Sequence, residues 1–214
     1  MFSDDVCSKL QNIIHGNVIQ EQPDTCTAIR NQLSTSYPTS TTVKTDFESK
    51  QLIKKEQVSF LQELARSQNL FIPSIPAGWN YLTHGGEASV YLHPDQLSVV
   101  KLNDAIYYAT WLEYFNSVVI HNLLFPDTAY TFLGFTQKED SLLAVLKQPF
   151  VSSDETADLN AIREYLAFNG FEHKVRQDYF NKEFGLILED MHDENVILKN
   201  GSLFFIDTVF YMVK

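Results

Sequence analysis

Leu188-Glu189-Asp190-Met191-His192-Asp193-Glu194-Asn195-Val196-Ile197-Leu198 runs into Lys199-Asn200-Gly201-Ser202 and then Leu203-Phe204-Phe205-Ile206-Asp207. Two short apolar runs, Val196 to Leu198 and Leu203 to Ile206, flank Asn200-Gly201. Both turn positions tolerate positive φ, so the spacing predicts a tight hairpin. Asp190 and Asn195 lie five positions apart, and Asp207 lies twelve beyond Asn195. A loop, strand, turn and strand in that order bring all three polar side chains to one end of the hairpin. Alone, Asp190 to Asn195 reads as an ordinary solvated loop. What sets it apart is D-x-H-x-x-N followed by an apolar strand, Asn-Gly and a strand that ends in aspartate.

Upstream, short strands punctuated by turn residues are expected from Asn80 onward: Ala88 to Leu92, Leu97 to Leu102, Ala129 to Phe135 and Leu142 to Lys147. His93-Pro94-Asp95-Gln96 and Gln137-Lys138-Glu139-Asp140 are natural hairpin connections, so these strands read as antiparallel. Between the second and third, Asp104 to Leu124 is long enough for one helix stopped at Pro126, and Asp158 to Phe168 reads as another. Nearer the start, apolar residues at helical spacing predict helices over about Val6 to Val18 and Phe47 to Gln68. Ser34, Thr35, Ser36, Thr39, Ser40, Thr41, Thr42 and Thr45 crowd around Pro38, a composition that favours an exposed linker over 34–45. The expected division is an N-terminal helical segment with that linker over 1–75, then a principal α+β domain over 76–214.

Of the 214 residues, 44% are hydrophobic, enough for one domain with an appendage. No run approaches the roughly 20 apolar residues of a membrane span. Met1-Phe2-Ser3-Asp4-Asp5 lacks the basic-then-apolar start of a signal peptide. A cytoplasmic protein with no membrane partner is therefore expected. Cys7 and Cys26 lack metal or redox spacing and read as reduced thiols. The 16 basic and 27 acidic residues leave a net charge of −11, which argues against nucleic acid, since backbone binding needs several cations to displace counterions. A phosphate-bearing ligand must instead be held by local cations, backbone N–H groups or a divalent metal. His15, His84, His93, His121 and His173 show no metal spacing and read as packed or solvated side chains.

The order of features over about Asn80 to Phe210 resembles the protein-kinase and aminoglycoside-kinase superfamily, and is similar above all to the small kinase-like domain of polyvalent proteins, through its Gly85-Gly86-Glu87 loop, its D-x-H-x-x-N element and its abrupt end. The resemblance implies an α+β, protein-kinase-like fold: an antiparallel small lobe with one helix, plus a minimal, truncated second lobe. It implies ATP and Mg2+ as cofactors. Asp190 takes the place of the base for the incoming hydroxyl, and Asn195 and Asp207 those of the metal ligands. His192 stands where typical protein kinases have lysine and aminoglycoside-type enzymes histidine. Gly85, Gly86, Ala88 and Val90 take the glycine-loop positions, with Ala88 where a third glycine is usual. Lys101, in Val99-Val100-Lys101-Leu102, takes that of the phosphate-binding lysine, against the alternative of an exposed edge-strand lysine. Glu113, the one carboxylate in an otherwise apolar helix, is the expected ion-pair partner of Lys101. Gln148 and Phe150 fall at the adenine hinge by order alone, and a Pro-terminated strand is the alternative.

Asp207-Thr208-Val209 replaces the usual D-F-G, and seven residues follow Asp207 in the sequence. The expectation is thus a domain without activation loop or peptide platform. Residues 1–75, or a partner protein, would complete the acceptor site. Three functions stay open: a Ser/Thr protein kinase, a small-molecule kinase, and a nucleotide-binding module without transfer. The hydroxyl-rich 34–45 stretch is either an inert, solvated linker or the first target of autophosphorylation.

Overall fold

The computed structural model describes residues 2–20, 24–37, 47–75, 78–86, 88–152 and 155–213. Three helices come first: α1 (Asp4–Ile14), α2 (Thr25–Ser36) and α3 (Phe47–Ser67). Strands β1 (Asn80–His84), β2 (Ala88–Leu92) and β3 (Ser98–Asn103) precede α4 (Trp111–Leu124) and a 3-10 turn at Pro126–Thr128. Then follow β4 (Thr131–Lys138), β5 (Ser141–Pro149), β6 (Glu155–Thr156), α5 (Leu159–Phe168), β7 (Phe171–His173), β8 (Tyr179–Asn181) and β9 (Leu186–Glu189). The chain finishes with β10 (Val196–Lys199), β11 (Ser202–Phe205) and β12 (Val209–Met212). The α+β, antiparallel character expected from the sequence is present. No described helix is long and apolar enough to cross a membrane.

Contacts group these elements into two compact units. One comprises Glu21–Phe115 and Tyr130–Phe150. Its sheet has the order β1-β2-β3-β5-β4, with every pair antiparallel. Val100, Leu102 and Val145 bury one face beneath Ile72, Ile75, Trp79, Tyr91 and Leu133. Because side chains alternate along a strand, Val99 and Lys101 point the other way. Helix α2 docks on β4, where Thr25 Oγ1 accepts from Phe132 N–H and the buried thiol of Cys26 donates to Tyr130 O. At the β4 bulge, Gly134 has φ +152°, and a Cβ there would collide with the carbonyl of Leu70. That close approach is what lets Phe135 N–H bond Leu70 O and Ile72 N–H bond Phe135 O, fastening the segment after α3 to the sheet edge. Packing therefore runs across the 75/76 division read from composition.

The other unit comprises Met1–Gln20, Asn116–Ala129 and Val151–Lys214. It holds two small antiparallel sheets, β11-β10-β6 and β12-β9-β8-β7. Phe125 stacks on Phe205 with ring centroids 4.3 Å apart, and Phe171 packs against both Phe2 and Phe210. Helix α1 is started by Ser3, whose hydroxyl accepts from Val6 N–H, with Asp4 and Asp5 favourably placed in its first turn.

Two expectations need correction. Ser34 to Ser36 are not linker: they end α2, where Ser34 is buried against the unit's interior, because Asp24 caps the helix and Cys26, Ile29 and Leu33 give it an apolar side. The rest of the 34–45 stretch, apart from Tyr37, lies outside the described residues. The helix expected from Asp104 begins only at Trp111. Asn103 and Asp104 accept from the N–H groups of Ala105 and Ile106, and these short turns compete with helix.

Candidate active site

In the first unit, β3 is buried along its whole length, Lys101 included, at 7% exposure. Val90 pairs with Lys101, Lys101 with Leu146, and Val99 with Gln148. With Ala88 opposite Asn103, this register sets Ala88, Val90, Lys101 and Gln148 on one face of the sheet. Lys101 Nζ donates to Tyr130 Oη at 3.3 Å and lies 5.4 Å from the centre of that ring. An exposed edge lysine is thereby excluded. Gln148 is buried, and Phe150, last residue of the unit, is 41% exposed.

The glycine turn joins β1 to β2, closed by Gly85 N–H donating to Ala88 O at 3.0 Å. Neither Gly85 nor Gly86 has positive φ. Gly86 is small for a different reason: a Cβ would stand 3.2 Å from the hydroxyl of Tyr107.

Glu113 does not meet Lys101. Its Oε2 accepts from Ala109 N–H at 3.0 Å, and its Oε1 lies 3.5 Å from Lys50 Nζ. The cause is helix capping. Thr110 Oγ1 accepts from Glu113 N–H, a Thr-x-x-Glu arrangement, while Gln57 Oε1 from α3 accepts from Trp111 N–H and Leu112 N–H. Lys54, also on α3, donates to Ala105 O and Tyr108 O, and burial lowers its pKa. The carboxylate is spent on the helix start, a use that the Thr110-x-x-Glu113 spacing already signals.

In the second unit, Asp190 follows β9 and has φ +63°. A left-handed aspartate persists only when its surroundings fix it, and here they do. Its N–H donates to Asp178 Oδ1, and its carbonyl accepts from His192 N–H and from Asn195 Nδ2 at 2.8 Å. Next to it Met191 is completely buried, its N–H bonded to Gln177 O. The loop is thus nailed down on both sides of a carboxylate whose side chain is 66% exposed. His192 Nδ1 accepts from Glu194 N–H, so Nε2 carries the proton and faces Asp190 Oδ2 at 3.4 Å. Asp178 was not among the residues singled out in the sequence, and nothing in its local pattern marks it. Burial, with Asp178 and Asp190 nearby, raises the pKa of Glu189.

Asn200 and Gly201 take φ of +50° and +73°, the turn their pairing predicts, and β10 and β11 run in register from Val196↔Phe205 to Lys199↔Ser202. Asn195 O accepts from Ile206 N–H at 3.0 Å, which holds Asn195 beside the residue preceding Asp207 at the open end of the hairpin. Asp190, Asn195 and Asp207 are brought to one end, as their spacing requires.

A family model described as Serine/Threonine/Tyrosine Kinase found in polyvalent proteins matches residues 54–214. The chain belongs to this kinase family. No curated protein matches it. The match begins inside α3 and takes in the part of that helix from which Gln57 caps α4.

Magnesium, implied by the family's chemistry, suits the donors present. The Asn195 amide nitrogen is used within the loop, which leaves its oxygen for a cation, and Asp207 offers a half-buried carboxylate. Among the described residues no three His, Cys, Asp or Glu side chains converge on a metal position. Magnesium is commonly held by one or two protein oxygens together with substrate phosphates and water, so a two-residue set is sufficient.

Proposed function

We propose that this kinase-family chain is an active ATP-dependent phosphotransferase, a Ser/Thr protein kinase, working in the cytoplasm. The observation that carries the reading is the Asp190 loop: an exposed carboxylate in a left-handed backbone, braced by Asp178, His192 and Asn195. A carboxylate presented this rigidly and in the open is suited to take the proton of an incoming hydroxyl. Bound ATP supplies the phosphoryl group, and magnesium neutralises the charge on its phosphates. Asp190 takes the proton of the incoming hydroxyl as that oxygen bonds to phosphorus and the bond to ADP breaks. His192, its Nδ1 taken by Glu194 N–H, turns Nε2–H to orient Asp190 Oδ2. Lys101, fixed beside Tyr130, would pair with the α and β phosphates, Gly85 and Gly86 would form the covering turn, and Gln148 and Phe150 would offer backbone groups to adenine. Asn195 and Asp207 would hold the metal.

A second reading, nucleotide binding without transfer, is favoured by one feature: Glu113 is engaged with Lys50 and Ala109 rather than with Lys101. The two readings share a binding test. Mg-ATP is expected to raise the melting temperature of the wild type by mass action, and Lys101→Ala and Asp207→Ala are expected to lose most of that rise. An equal rise in all three proteins would place the nucleotide elsewhere.

A further inference from the structure

A fully buried histidine stands behind the candidate metal carboxylate. His121, on the second half of α4, is 0% exposed. Its Nε2 lies 3.0 Å from Thr128 O, which can only accept, so Nε2 carries the proton. Its Nδ1 is then an acceptor and takes the hydroxyl proton of Thr208 at 2.8 Å. Thr128 turns its own hydroxyl to Phe205 O at 2.5 Å, and Ser117 Oγ accepts from Phe210 N–H at 2.9 Å. Phe205, Thr208 and Phe210 are thus each tied to Ser117, His121 or Thr128, and Asp207 lies in the middle of the tied segment. Phe125 stacked on Phe205 seals the arrangement from one side.

The cost of this arrangement points to a purpose. Apolar side chains at 117, 121 and 208 would fill the same volume without burying three polar groups that must all be matched. Directional hydrogen bonds fix orientation in a way that apolar packing does not. We propose that His121, with Thr208 as the link, is a positioning residue for the metal site: it sets the backbone at 207 so that the Asp207 carboxylate is held in place for the cation before the cation arrives. This rests on the phosphotransferase reading above and adds to it a residue far from the loop in sequence. Partners of this kind behind a metal ligand typically change metal affinity or activity ten- to a hundredfold when removed.

The test compares full-length wild type with Thr208→Val, which keeps the shape and removes the hydroxyl, and Thr208→Ser, which keeps the hydroxyl. Mn2+ serves as the probe, its binding followed by electron paramagnetic resonance at saturating ATP, with ATP binding in EDTA measured alongside. The expected result is a Mn2+ affinity roughly tenfold or more weaker in Thr208→Val, within about threefold of wild type in Thr208→Ser, and metal-free ATP binding equal in all three. Should Thr208→Val fail to fold, His121→Gln is read in its place, since its amide can still reach Thr128 O while the acceptor for Thr208 is lost. Wild-type Mn2+ affinity in the hydroxyl-free variant overturns the positioning role alone. A wild type that binds neither ATP nor Mn2+ with ATP overturns the phosphotransferase reading, and this inference with it.

Discussion

Asp190 and Glu189 are neighbours with opposite demands. Asp190 is exposed and braced, whereas Glu189 is partly buried beside Asp178 and Asp190, and its pKa is raised, first by burial and then by those two carboxylates. A carboxyl whose folded pKa lies above its unfolded value is favoured in its protonated form by folding. Its contribution is present below the unfolded pKa and is lost as pH rises through the folded one. Glu189→Gln is therefore expected to raise the melting temperature near pH 7, with the gain shrinking toward zero as pH falls through about 4, the ordinary range of glutamate. Thermal melts from pH 3.5 to 7.5 check this, and a gain that grows on acidification would contradict it. Asp178 matters in another way. Its side chain holds the Asp190 N–H, so Asp178→Ala should lower turnover by roughly ten- to a hundredfold through misplacement of the base, with Asp178→Asn recovering most of it. Steady-state kinetics on the two variants separates that positioning effect from a loss of charge.

Among the elements, α4 shows how far local pattern reaches. Its existence was legible from the apolar run ending before Pro126. The fate of Glu113 was not, because the competing partner Lys50 and the cap Gln57 come from α3, far away in sequence. Gln57 is completely buried, and its carbonyl oxygen satisfies two N–H groups at the helix start. Gln57→Ala is expected to cost about 1–3 kcal/mol, the range for leaving buried donors unpaired, and Thr110→Ala about 1 kcal/mol, as for other lost N-caps. Urea titrations give both values. The hairpin β10–β11 is the contrary case, since Asn200-Gly201 and two apolar runs contain nearly all that determines it. Helix α2 escaped notice because serine and threonine dominate its second half, and a composition argument cannot see that Ser34 faces an interior. The strand β12 was missed for a similar reason: Val209 to Met212 pairs with Leu186 to Glu189, a partner no local pattern reveals.

For the whole molecule, the candidate site residues were legible where they sit in one continuous element, from Asp190 to Asp207, and in the strand around Lys101. The supports behind them were not, since Asp178, His121 and Thr208 act through contacts that only folding creates. The chain belongs to a kinase family, and phosphoryl transfer is the central proposal made for it. The most direct test incubates the purified full chain with γ-labelled Mg-ATP, alone and with cell lysate, beside Asp190→Ala. The account predicts labelled protein with the wild type and roughly a hundredfold to ten-thousandfold less with the variant, while Mg-ATP still raises the melting temperature of both. Equal labelling by Asp190→Ala, or none by a wild type that binds Mg-ATP, would contradict it.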